Sequence, residues 1–171
     1  AYEIASCLVG SEMCIKRQND NRPFRIDTRV GQLATLDSHL LLRENDLGLL
    51  LAVRRGDVTL FPSSASPRRV LPGETLQVWA NGSFQAVTLH SDPWGWTDGV
   101  LSVQQMPLGE FIAEVARYRP GLLRCAPEVA ELKVSGTYQL ADTGQILQLL
   151  TRSLPVRVDY RTRYWVSIGA A

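Results

Sequence analysis

Hydrophobic and polar positions divide the chain into two regions of different period. Through the first ninety residues, short apolar or alternating runs recur at about the 8–12 residue spacing of all-β domains. They cover residues 30–36, 38–43, 49–54, 58–61, 75–80 and 84–89. Turn formers separate them: Asp46-Leu47-Gly48, Arg55-Gly56-Asp57, residues 62–67, Pro72-Gly73 and Asn81-Gly82. Asn-Gly between two alternating runs is a strong hairpin signal, because a type I′ turn needs positive φ at both positions. Arg55-Gly56-Asp57 spells an adhesion tripeptide but reads as a hairpin turn. Asn81-Gly82-Ser83 fits a glycosylation acceptor, yet the turn already accounts for it. No helical period of useful length occurs here, so the region reads as a sheet stack, sandwich or barrel-like unit.

After Leu89 the pattern changes. Residues 91–99 (Ser-Asp-Pro-Trp-Gly-Trp-Thr-Asp-Gly) are rich in turn formers and read as a junction. Its Trp94 and Trp96 are expected to pack between the two parts, since large aromatics are seldom left exposed without a partner. A β-α-β, β-α-β-β order follows. Residues 100–104 read as a strand, and Pro107 suits a helix start. Leu108, Phe111, Ile112 and Val115 recur at helical spacing. Pro120-Gly121 stops that helix, residues 122–125 form a strand, and residues 127–130 a short helical loop. Leu132, Val134, Gly136 and Tyr138 alternate with polar neighbours, as in a half-buried strand. Asp142 and Gln145 resemble a capping pair, ahead of Ile146, Leu147, Leu149 and Leu150 on one expected helical face. Val156, Val158 and Tyr160, then Tyr164, Val166 and Ile168, read as two closing strands. The fold class is therefore α+β: an all-β subdomain over residues 1–92, a junction at 93–99, and a small α+β module over residues 100–171, with two helices on a small sheet.

Composition narrows the function. The 171 residues are 45% hydrophobic and 20% charged, which is the profile of a folded globular chain. Eighteen basic residues face 17 acidic ones, a net charge of +1. The balance holds in both parts, with ten basic and nine acidic residues in 1–90 and eight of each in 91–171. The long-range field on which nonspecific DNA or anionic-lipid binding depends is absent, so no nucleic-acid partner is expected. The most apolar stretch, residues 40–53, is broken by Arg43, Glu44 and Asp46 and is too short to span a bilayer. The chain reads as a soluble fragment, and any anchor or targeting element would lie upstream of it.

Catalytic and metal chemistry is sparse. The two histidines, His39 and His90, fall in two strands of the β region, and no cysteine or carboxylate cluster has ligand spacing. Gly-rich phosphate loops, G-x-S-x-G elbows and H-E-x-x-H helices do not occur. No catalytic residue, metal or cofactor is expected, and the chain does not read as an enzyme. Cys7 and Cys14 flank six residues, a length that suits a short hairpin. They admit two readings: a disulfide across that hairpin, or two small apolar core residues. Cys125, in an apolar strand beside Arg124, is expected to be buried and inert.

Several strings carry a family resemblance. Trp96-Thr97-Asp98-Gly99-Val100-Leu101 leads into Met106-Pro107-Leu108-Gly109-Glu110-Phe111, then Ala116-Arg117-Tyr118-Arg119-Pro120-Gly121. Val134-Ser135-Gly136-Thr137-Tyr138 and Leu154-Pro155-Val156-Arg157-Val158 follow. Upstream lie residues 51–58 (Leu-Ala-Val-Arg-Arg-Gly-Asp-Val) and Leu71-Pro72-Gly73-Glu74. In order and spacing these resemble the periplasmic C-terminal region of FecR/PupR-type iron-transport sigma regulators, the anti-sigma factors of cell-surface signalling. The resemblance covers residues 24–168, while residues 1–23 depart from it. It implies that residues 100–171 form a secretin/TonB short N-terminal (STN)-like βαβ–βαβ module. It also implies a full-length protein anchored in the inner membrane by one span, with this region in the periplasm. The implied partner is the N-terminal signalling domain of a TonB-dependent ferric-siderophore receptor. A sigma factor would be met only through a cytoplasmic domain outside this chain.

Two small α+β domains can join by edge-strand pairing, which makes Leu122, Leu123, Arg124, Leu132, Val134 and Tyr138 the candidate partner-binding residues. The alternative is a β-rich periplasmic module for glycans or small ligands, with Trp79, Trp94, Trp96 and Trp165 as stacking faces and Asp92 and Asp98 beside two of them.

Overall fold

The structure is a computed structural model that describes residues 3–6, 12–16, 24–45 and 47–171. The chain divides into two compact units, Ala1–Thr88 and Leu89–Ala171. The fold is α+β, with the helices confined to the second unit among the described residues.

The first unit is one eight-stranded sheet. Its strands are β1 (Glu3–Ser6), β2 (Glu12–Lys16), β3 (Phe24–Thr28), β4 (Gly31–Asn45), β5 (Gly48–Pro62), β6 (Arg68–Val70), β7 (Thr75–Trp79) and β8 (Phe84–Ala86). Two 15-residue strands, β4 and β5, pair along their lengths and recruit different neighbours at each end. The early part of β4 pairs with β3, and its later part with β2. The early part of β5 pairs with β7, and its later part with β6. The Asn81-Gly82 signal is a true hairpin between β7 and β8, with Gly82 at φ +81°.

Arg55-Gly56-Asp57 is not a hairpin turn. It lies inside β5, where the β4–β5 register shifts between Thr35 and Ser38 and again between His39 and Leu40. These are β-bulges, which insert residues and bend a strand without reversing it. Core positions on β4 change phase across them, from Leu33 and Thr35 to Ser38, Leu40 and Leu42. On β5 they change from Leu49, Leu51 and Val53 to Val58 and Leu60. The phase change keeps the apolar face inward through the bend, because side chains alternate with period two. It also explains why the sequence pattern breaks each long strand into two runs. Gly56 has φ +84°, and a Cβ there would overlap the Asp37 carbonyl oxygen. The Thr35 hydroxyl bridges Ser38 Oγ (2.7 Å) and the Asp57 carbonyl oxygen (2.9 Å), so the polar groups buried at the bulge are satisfied.

Ile26, Leu33, Leu40, Leu42, Leu49, Leu51, Val58, Leu60 and Val78 form the centre of this unit's core. Leu41, Leu50 and Ala52, on the opposite face of the same strands, are buried as well. Glu44 is 2% exposed. Its carboxylate accepts from the Arg29 backbone N–H (3.2 Å) and from Arg29 Nε (3.3 Å). Strand β1 pairs with β3, and β2 with β4. The disulfide reading itself lies outside the described residues, as Cys7 does.

In the second unit, residues 90–92 run beside β9 (Val100–Pro107): Gln104 N donates to His90 O (2.8 Å) and Asp92 N to Ser102 O (3.0 Å). His90 therefore belongs to this unit and not to the β region. A short 310 helix, Gly95–Asp98, occupies the expected junction. After β9 come α1 (Leu108–Ala116), β10 (Leu122–Cys125), a 310 turn (Pro127–Val129), β11 (Lys133–Gln139), α2 (Thr143–Ser153), β12 (Val156–Thr162) and β13 (Trp165–Ala170).

Instead of one small sheet there are two, β9–β11 antiparallel and β10–β13–β12 mixed. Both helices touch both sheets: α1 meets β9, β10 and β11, and α2 meets β11 and β12. Leu108, Phe111, Ile112 and Val115 of α1 join Ile146, Leu147 and Leu150 of α2 in a single core with inward residues of both sheets. Leu149 departs from its expected face and is 41% exposed, since it projects to the side of the 146–147–150 stripe. The Asp142 cap forms as expected, its Oδ1 accepting from Gln145 N at 2.9 Å.

Candidate protein-docking surface

The second unit's sheets end in strands that pair on one side. In the three-stranded sheet β13 is central, and β10 and β12 are its edges. The β9–β11 pair is differently placed, because residues 90–92 already lie along β9. Leu122, Leu123 and Arg124 form most of edge strand β10. Leu123 is 8% exposed and lies in the core, whereas Leu122 and Arg124 are exposed. Leu132 and Tyr138 are half-buried against the core, and Val134 lies within it. The Leu132 carbonyl accepts from Leu108 N (2.7 Å), tying the residue before β11 to the start of α1. The Tyr138 ring is tilted against Phe111 with centroids 4.9 Å apart, and burial pushes its hydroxyl pKa upward. Of the six candidates, only Leu122 and Arg124 present exposed side chains; the other four bear on the core, leaving their strands to act through backbone.

Trp96 packs against the second unit's own core, and Trp94 is half-buried, with its backbone N–H donating to Asp92 Oδ1 (2.9 Å). Cys125 is half-buried, less enclosed than its strand suggests, and its thiol is free. Burial, with Glu128 adding to it, raises the thiol pKa and holds it protonated. A groove of about 440 Å³ on the β9–β11 sheet is lined by His90, Asp92, Ser102, Gln104, Gly136 and Thr137. Its Ser102 and Thr137 hydroxyls bond to each other at 2.8 Å. Among the described residues no group of three His, Cys, Asp or Glu side chains is placed to hold a metal ion. No helix among them is long and apolar enough to cross a membrane.

One cluster escaped the reading of edge strands. Residues 160–165 (Tyr-Arg-Thr-Arg-Tyr-Trp) end β12, turn, and start β13, and all six are exposed. Arg161 stacks over the Trp165 ring at 4.9 Å and Arg163 over Tyr164 at 5.0 Å. Register places Trp165 beside Leu122 of β10 and Thr162 of β12. Its signal in the sequence was the density of aromatic and arginine residues, which periodicity alone reads as a strand end.

With this geometry in view, the comparisons bear on the fold. The chain is similar to two crystal structures, each of a putative anti-sigma factor from Parabacteroides distasonis ATCC 8503. The first superposes with a TM-score of 0.76 at 19% identity, covering 99% of this chain and 81% of the other. The second gives 0.70 at 20% identity, covering 94% and 77%. At that identity the likeness establishes a shared fold running through both units. No protein-family model matches the chain, and no curated protein matches it.

Proposed function

We propose that this chain is the periplasmic signalling region of an anti-sigma factor of cell-surface signalling. It binds the N-terminal signalling domain of a TonB-dependent ferric-siderophore receptor and relays the receptor's state to an iron-starvation sigma factor. Supporting the class is the likeness to the Parabacteroides proteins, which spans nearly the whole chain. Supporting the iron-transport branch are the ordered motifs from Leu51 to Val158, and the two-sheet module fits their STN-like implication. In this reading the units Ala1–Thr88 and Leu89–Ala171 are the FecR-type and STN-like subdomains. The sigma factor is contacted by a cytoplasmic domain beyond a single membrane span, and this region does no catalysis and binds no cofactor.

The carrying observation is the fold match. The test is co-purification of this chain with the signalling domain of a receptor encoded beside it. A stoichiometric complex is expected. Absence of binding to any candidate receptor domain at tens of micromolar, roughly the range of modest interfaces, overturns the receptor assignment.

A further inference from the structure

Exposed apolar side chains in the second unit are not scattered. Its large exposed hydrophobics are Leu122, Leu149, Tyr160, Tyr164 and Trp165, and all but Leu149 belong to the three-stranded sheet or the turns at its end. Charge is segregated in the same way. Strands β10, β12 and β13 with the Arg163–Tyr164 turn carry four arginines and one aspartate, whereas the rest of residues 89–171 carries four basic and seven acidic side chains. The near-zero charge of this half therefore conceals a basic, aromatic sheet face. Arginine and tryptophan in contact, surrounded by polar groups, make the composition on which binding energy concentrates at protein interfaces. Arg161 and Arg163 are held by their aromatic neighbours, which lowers the entropy cost of engaging a carboxylate.

We propose that the outer face of the β10–β13–β12 sheet, centred on Trp165 and Arg161, docks an acidic protein surface. The partner's carboxylates pair with Arg161, Arg163 and Arg124, and its apolar side chains cover Trp165 and Leu122. Charge complementarity specifies the partner's sign. Arg161 already occupies one side of the indole on which a nucleic-acid base would stack, which favours a protein partner. This inference rests on the receptor-binding reading above and names the surface and chemistry it uses.

Titration calorimetry of the full 171-residue chain against the signalling domain of the adjacent receptor tests it. The variants are Arg161→Glu with Arg163→Glu, Trp165→Ala, and Leu149→Ala as a control away from the sheet. The charge reversal should weaken binding roughly tenfold or more, and Trp165→Ala comparably, as interface hot spots do. Leu149→Ala should leave binding unchanged. Raising salt from about 50 to about 300 mM should weaken the wild-type complex severalfold. Circular dichroism and the thermal transition should stay at wild-type values, and Arg161→Gln with Arg163→Gln replaces the reversal if that variant misfolds. Wild-type affinity in the reversed variant overturns the assignment of this face and leaves the receptor reading standing. Failure of the wild-type chain to bind overturns both. Tighter binding of a single-stranded oligonucleotide than of the receptor domain, lost in the same variants, overturns the protein partner.

Discussion

The two units bury their apolar side chains by different routes, and the difference bears on where a surface is left for display. In residues 1–88 the centre is a pair of long strands, each flanked at its two ends by different short strands. Leu40, Leu41 and Leu42 are all buried, as are Leu49 to Val53, so these strands hide both faces. In residues 89–171 two helices lie between two small sheets, and each sheet needs only its inner face for the core. On β13 Val166 and Ile168 are buried while Trp165 is 41% exposed. A sheet covered on one side can keep aromatic and charged groups on the other. The candidate docking surface belongs to the unit built this way.

The comparison can be broken most severely at the layer between the sheets. Phe111 is fully buried, and Phe111→Ala should cost about 3–5 kcal/mol. Scanning calorimetry should show one transition move sharply down while that of residues 1–88 keeps its position; equal losses in both would mean the units do not melt separately. At the bulge, Gly56→Ala should destabilise the first unit by about 2 kcal/mol or more. It forces a side chain into positive φ against the Asp37 carbonyl, and urea denaturation followed by strand circular dichroism would measure the loss. Arg29→Met leaves the buried Glu44 carboxylate short of its charged partner, at a cost of about 1–2 kcal/mol. That shift should be absent from the second unit's transition.

Smaller again is Asp142→Ala, which removes the α2 cap for about 1 kcal/mol. Asp142→Asn should retain most of that stability in the same melt. The smallest effect is alkaline. Burial raises the folded pKa of Cys125 from its ordinary 9.0 and of Tyr138 from 10.0. Each therefore contributes stability that is present below its ordinary pKa and is lost as pH rises toward its folded value. The second unit's melting temperature should start to fall above about pH 9, and Cys125→Ala should delay that fall until Tyr138 begins to titrate.

Local patterns were legible where a few neighbouring residues decide the outcome. The 108–111–112–115 stripe, the Asp142 cap, the Asn81-Gly82 hairpin and strand 122–125 each follow from turn chemistry, capping or period. The candidate site was legible only in part. Strand β10 was placed, but that Leu122 and Arg124 turn outward while Leu123 and Val134 turn inward depends on which face meets the helices. Trp165 was read only as a stacking face for a glycan or small ligand, and Arg161 not at all, because the six residues that hold them look like an ordinary strand end until register sets Leu122 beside Trp165.

What the amino-acid sequence determined by itself is the change of period near residue 90, the order of elements after it, and a net charge near zero. What only the tertiary structure decided is how those pieces share faces. The bulged, continuous strands β4 and β5 replace four short ones, because phase changes on two paired strands cancel only when they are opposed. The single small sheet becomes two, because helices amphipathic along one stripe are covered from both sides. The even charge resolves into a basic face and an acidic remainder, because sums along a chain carry no information about which side chains fold onto the same surface.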